Sequence, residues 1–152
     1  MIAYNDTFKN FEVDVNNNEV VSKVIDKLGQ NLGDSEKKAI KRASQEMRSV
    51  LSIADISEDT RIGLEYRIPI TSRRIDFIVS GSDGVNDHLI VVELKQWDRV
   101  YKTDFPSVVR VGNREYVHPS WQAYSYRATI EHFNEAVETN KIQLKSVAFL
   151  HD

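Results

Sequence analysis

The amino-acid sequence predicts an α/β domain: an N-terminal helical part, a three-stranded antiparallel meander, a further helix and a closing strand. Three observations carry this. Apolar residues keep a helical period up to residue 54, switch to a strand period from residue 61, and return to a helical period at residue 119 before a last apolar strand. The chain has 152 residues, 41% hydrophobic and 28% charged, enough for one core and too few for a second full domain.

Two amphipathic helices are expected first. Val21, Val24, Ile25, Leu28 and Leu32 form one stripe, and Ile40, Ala43, Met47, Val50 and Ala54 form a second. Gly33 separates them, with Asp34 or Ser35 as the cap of the second, and "DVNNNE" (14–19) is expected to be a loop. Residues 1–57 then make the helical N-terminal part and 58–152 the core of a single domain.

The strands are "RIGLEYRIP", "RRIDFIVSG" and "DHLIVVELKQW", separated by "ITS" and by "SGSDGVND". Ile75, Phe77 and Val79 are expected on one face, Asp76 and Ile78 on the other. The third strand is apolar on both faces over Leu89 to Val92, as a central strand covered on each side should be. A polar connection (96–118) holds a small hairpin around Gly112 and Asn113. A helix opens at Pro119, with His118 near its cap and a stripe of Ala123, Tyr126, Ile130, Phe133 and Val137. "LKSVAFLH" is the closing strand, parallel to the third through a right-handed crossover.

Composition narrows the address and the chemistry. No run of about 18 apolar residues is present, and the N-terminus lacks the layout of a signal peptide, so the cytoplasm is expected. Without cysteine there are no disulfides, thiolate nucleophiles or cysteine zinc sites, and any metal must sit on oxygen or imidazole. A net charge of −3 does not mark a general nucleic-acid binder; the basic residues gather in "KKAIKR", a solvated helix face, and in "YRIPITSRR".

Chemistry concentrates around "VVELKQWD" (91–98). Glu93 and Lys95 are two apart on a strand and share a face with Val91, a costly pair to half-bury. Alone, such a pair is an ordinary surface ion pair. Asp76 lies one strand earlier, and the hairpin register sets Glu65 about opposite it. Carboxylates so close need a cation, supplied by a divalent metal, by Lys95, or by Arg73 and Arg74; Glu65 could equally form a cross-strand salt bridge with Arg67 or Arg74. The oxygen-rich corner of Asp76 and Glu93 suits Mg²⁺ or Mn²⁺. Gln122 and Tyr126 are one turn apart on the helix that follows, where the glutamine can reach a phosphate or water and the tyrosine can brace it or touch the substrate backbone. Glu46 is read as a solvated helix residue, and Trp97 and Trp121 as packing or rim residues with a further use in stacking unpaired bases.

Asp76, then Glu93-Leu94-Lys95, then Gln122-x-x-x-Tyr126, in this element order, resembles the PD-(D/E)xK nuclease superfamily, and the last motif its RecB-like branch. The resemblance implies a restriction-endonuclease-like core with Asp76 and Glu93 as metal ligands, Lys95 as the catalytic lysine and Gln122 as the motif glutamine. Ile75 stands where the nominal motif has proline. A wider resemblance runs from "YNDTFKNF" to "KSVAFLHD": the chain looks like the nuclease-like N-terminal region of bacterial proteins that continue into a Schlafen-like, superfamily-one helicase-type ATPase. No Gly-x-x-x-x-Gly-Lys loop occurs here, so the chain is expected to be a fragment without that ATPase. The expectation is a Mg²⁺-dependent nuclease domain acting on DNA, with Arg73 and Arg74 meeting phosphates. The alternative is a catalytically silent nucleic-acid-binding or regulatory module of the ATPase.

Overall fold

The computed structural model describes residues 1–69 and 71–151. In chain order its first elements are β1 (Ile2–Thr7), α1 (Phe8–Asn16), α2 (Val20–Leu28), α3 (Asp34–Ile53), β2 (Arg61–Arg67), β3 (Arg74–Ser82) and β4 (Asp87–Gln96). They are followed by β5 (Tyr101–Lys102), β6 (Val108–Val111), β7 (Arg114–Val117), α4 (Pro119–Phe133), α5 (Glu135–Asn140) and β8 (Gln143–His151).

The α/β class and the element order from α2 onward agree with the sequence. A five-stranded sheet runs β1-β2-β3-β4-β8, antiparallel except for the parallel pair β4 and β8. Helix α4 makes the crossover between those two strands, as a parallel connection requires. The core lies on both faces. On one, Ile62, Leu64, Phe77, Val79, Val92 and Leu94 pack with α1 to α3; on the other, Ile78 and Val91 pack with Tyr126 and Ile130 of α4. Strand β4, which also contacts α4, is therefore covered on each side, and at its C-terminal end burial gives way only with the last residues, Lys95 and Gln96.

The N-terminus departs from expectation. Strand β1 and helix α1 precede the two anticipated helices, and 14–16 belong to α1 instead of a loop. The period of "IAYNDT" is too short to show a strand, but pairing with β2 buries Ala3 and Tyr4. The buried Asp14 fixes these added elements: Tyr4 Oη donates to its Oδ2 at 2.7 Å, and the exposed Lys23 Nζ of α2 reaches both of its oxygens at 2.7 Å. Helix α3 takes Gly33 as its cap in extended conformation, which places Asp34 and Glu36 inside the first turn, where the helix dipole favours them.

Two side-chain placements differ as well. Ile75 joins the α4-side cluster, not the Phe77 and Val79 face, because regular pairing fails at this end of the sheet. Phe133, the last residue of α4, is 83% exposed; Asn134 then turns extended (φ −111°), and Val137 belongs to α5 and is buried. The β6-β7 hairpin turns at Gly112, left-handed at φ 59°, and Asn113 as anticipated. The β2-β3 turn expected at 70–72 includes residue 70, which lies outside the described residues. No described helix is long and apolar enough to cross a membrane.

Candidate functional site

The site forms where the sheet stops pairing regularly. The β3-β4 ladder runs as far as Phe77 opposite Val92. Beyond it the Leu94 N–H donates to Asp76 Oδ2 at 3.2 Å, so a side chain takes the place of a backbone acceptor and pins the carboxylate against β4. Glu93, next on β4, is only 1% exposed. Lys95 Nζ is 2.5 Å from Glu93 Oε1, yet neither Glu93 oxygen has a hydrogen-bond partner of good geometry among the described residues.

Burial, then the charge of Asp76, push the Glu93 carboxyl up to about 7, with Lys95 pulling the other way. Burial also raises Asp76, opposed by the Leu94 N–H, Lys95 and Arg74. Each acid resists ionisation while the other is charged. Two acids on neighbouring strands, Asp76 held by one backbone N–H and Glu93 by the Lys95 ammonium alone, fit a hard divalent cation that would take up their remaining oxygens. Among the described residues no group of three or more His, Cys, Asp or Glu side chains gathers as a metal cluster. The donor set on offer is therefore the acid pair.

Helix α4 brings the remaining motif residues to this corner. His118 caps it, with Nδ1 accepting from the Ser120 N–H at 3.1 Å, and Pro119 occupies the first turn. One turn in, Gln122 Nε2 donates to Tyr126 Oη at 2.8 Å. Tyr126 is buried, and its phenol is raised first by burial and further by the charges of Glu93 and Asp76, which places it beside the acids. The bond leaves the Gln122 carbonyl oxygen and its second N–H available to another group.

Glu65 faces Asp76 across the hairpin, between the pairs Leu64 with Phe77 and Tyr66 with Ile75. Its backbone is left-handed at φ 57°, a conformation that costs a non-glycine residue about 1–2 kcal/mol. Its carboxylate meets Arg74 Nε at 2.6 Å, and Arg74 Nη1 also donates to Glu36 of α3 at 2.9 Å. Arg74 is thus held between two acids, whereas Arg73 and Arg67 lie exposed on the same hairpin. Burial raises Glu65 to about 7 despite Arg74, and Asp76 adds to the rise. Spacing gave no sign of Glu36, which is 38 positions away from its partner. Glu46 sits on α3, in the helical layer of the opposite face.

Removing Arg74 leaves Glu65 buried without its cation. Arg74→Ala is expected to cost about 2 kcal/mol of unfolding free energy at pH 8. The loss should shrink at pH 5.5, where Glu65 is protonated. Urea titrations at the two pH values check this; equal losses at both would show that packing, not charge, is what Arg74 supplies.

A mixed sheet with helices on both faces, ending in an acid pair and a lysine on adjacent strands, defines a nuclease-like α/β domain. A family profile described as NERD, nuclease-related domain, matches residues 34–151. The chain belongs to that family. No curated protein and no solved structure matches it.

Proposed function

We propose that this chain is a divalent-metal-dependent nuclease domain of the PD-(D/E)xK type, in its RecB-like branch, that hydrolyses phosphodiester bonds in DNA. The observation that carries the reading is the buried Glu93 carboxylate beside the charge of Asp76, ion-paired to Lys95 but with no hydrogen bond of good geometry to either oxygen among the described residues. Burying an acid in this way is costly unless a cation uses it.

Asp76 and Glu93 would hold Mg²⁺ or Mn²⁺, and Glu65, tied to Arg74, supports Asp76 from the neighbouring strand. When bound, the ion supplies a Lewis acid that polarises the phosphoryl oxygen and acidifies water. Lys95, at the open end of β4, orients the attacking water by hydrogen bonding and stabilises negative charge growing on the phosphoryl oxygens. Gln122, steadied by Tyr126, hydrogen-bonds the water or a phosphate oxygen. Arg73 and Arg67 neutralise flanking phosphates, a role that Arg74 serves only indirectly through Glu65.

In this reading residues 1–152 are one domain, with 1–57 an N-terminal part and 58–152 the catalytic core. It serves a Schlafen-like, helicase-type ATPase carried by the full-length protein in the cytoplasm, in DNA processing or phage defence. One observation favours a second reading, a catalytically silent nucleic-acid-binding module: the absence of a three-ligand cluster among the described residues. Incubating end-labelled single-stranded and duplex DNA with the purified chain in Mg²⁺, Mn²⁺ or EDTA tests the proposal. Metal-dependent cleavage is the expected result. Intact DNA in all three conditions, with Mn²⁺ bound, overturns the nuclease reading in favour of the silent module.

A further inference from the structure

Helix α4 buries Tyr126, to which Gln122 donates, and turns two other aromatics outward. Trp121 is 56% exposed and Tyr124 46% exposed. Their rings lie 5.6 Å apart with planes tilted by 30°, and the Arg127 guanidinium sits 5.0 Å from the Tyr124 ring centre. The ion pair of Arg127 with Glu131 is long, at 4.0 Å. Pro106, His118 and Ser120 close the side of a groove of about 330 Å³ against Trp121 and Tyr124. A second aromatic pair lies next to Lys95: Trp97 packs on Tyr116 at 5.3 Å, with Lys95 Nζ 6.0 Å from the indole. In sequence, one pair begins two residues after Lys95 and the other one residue before Gln122.

Flat rings left in water beside cations suit a ligand with its own π-faces and negative charge. Unpaired nucleotides have both; in a duplex the π-faces are buried in the stack. We propose that Trp121 and Tyr124, with Arg127, form a stacking site for unpaired bases, which guides a single strand past Lys95 and Gln122. This rests on the nuclease reading for what happens at the acids, but the stacking site is a binding property and is measured separately. Arg127 contributes charge to the same strand, and Trp97 with Tyr116 offers a second platform beside Lys95.

The test is fluorescence anisotropy of labelled oligodeoxythymidine and of a blunt duplex of equal length, with the whole chain in EDTA so that cleavage does not intervene. Single strands should bind more tightly than the duplex and quench tryptophan fluorescence. Trp121→Ala and Tyr124→Ala should each weaken single-strand binding roughly five- to hundredfold, the range for loss of one stacked base. Trp121→Phe should retain most of the affinity. Both side chains are exposed, so the variants should melt with the parent. Equal affinity for the two substrates, no binding of either, or single-strand binding indifferent to Trp121→Ala overturns the stacking site. A chain that stacks single strands but never cleaves them keeps this site and loses the nuclease reading; cleavage of single strands unaffected by Trp121→Ala does the reverse.

Discussion

Lys95→Ala is expected to reduce metal-dependent cleavage of DNA by at least about a hundredfold in kcat/KM, while DNA binding in EDTA changes by no more than a few fold. The size follows from what the side chain does. A single preorganised donor to a developing oxyanion is worth about 10²–10³ in rate, because a site shielded from water offers no replacement. Lys95 is placed for this role: its ammonium touches Glu93, its strand is fixed on both edges by β3 and β8, and a quarter of the side chain remains exposed to a substrate. Without metal, the variant leaves Glu93 buried with no cation and should be less stable; Mn²⁺ should restore it. Single-turnover kinetics together with a Mn²⁺-dependent melting shift then separate lost chemistry from lost structure. Cleavage that survives both Lys95→Ala and Asp76→Ala would place the activity elsewhere and sink the assignment.

The second large effect is a coupling of pH, metal and stability through Glu93. Burial raises both Glu93 and Glu65 from 4.5 to about 7, so between those values the folded metal-free protein holds protons that the unfolded chain has released. Its stability is therefore greatest below pH 4.5 as far as these groups are concerned, and it is lost as pH rises through 7. A divalent cation needs both acids ionised, so its binding strengthens over the same range. At pH 8 and a hundred times its dissociation constant, Mn²⁺ adds about 2.7 kcal/mol. For a chain of this size that corresponds to a melting-temperature rise of about 5–10 °C. At pH 5.5 the rise should nearly vanish. Glu93→Gln should melt above the metal-free parent at pH 8, match it at pH 5, and show no Mn²⁺ shift. Differential scanning calorimetry at the two pH values reads all three. A Mn²⁺ shift of parental size in Glu93→Gln would show that the ion binds elsewhere.

Much of the framework is legible in the residues because burial imposes a period. The apolar runs of β2, β3 and β4, the stripe of α4 and the Gly112-Asn113 turn repeat local rules, so helix, meander, helix and strand follow from spacing. Strand β1 was not legible: six residues with three polar side chains carry no clear period, and only pairing with β2 makes them a strand. Phe133 fits the α4 stripe by spacing yet faces solvent at the last residue of the helix, since spacing shows which face a residue lies on but not how far the neighbouring layer extends to cover it.

The same division runs through the site. The sequence by itself determined which chemical groups are present and on which element each lies: Asp76 on β3, Glu93 and Lys95 on β4, and Gln122 with Tyr126 one turn apart on α4. Local periodicity decides such things, since a strand alternates and a helix repeats regardless of its surroundings. Only the tertiary structure decided how those groups are satisfied. The end of the β3-β4 ladder gives Asp76 a backbone donor, burial beneath α4 leaves Glu93 without one, and Arg74 is drawn away from solvent by Glu65 and by Glu36 from a distant helix. Solvation and charge depend on everything packed around a group, so the protonation and pairing of these acids could emerge only when the separate elements met.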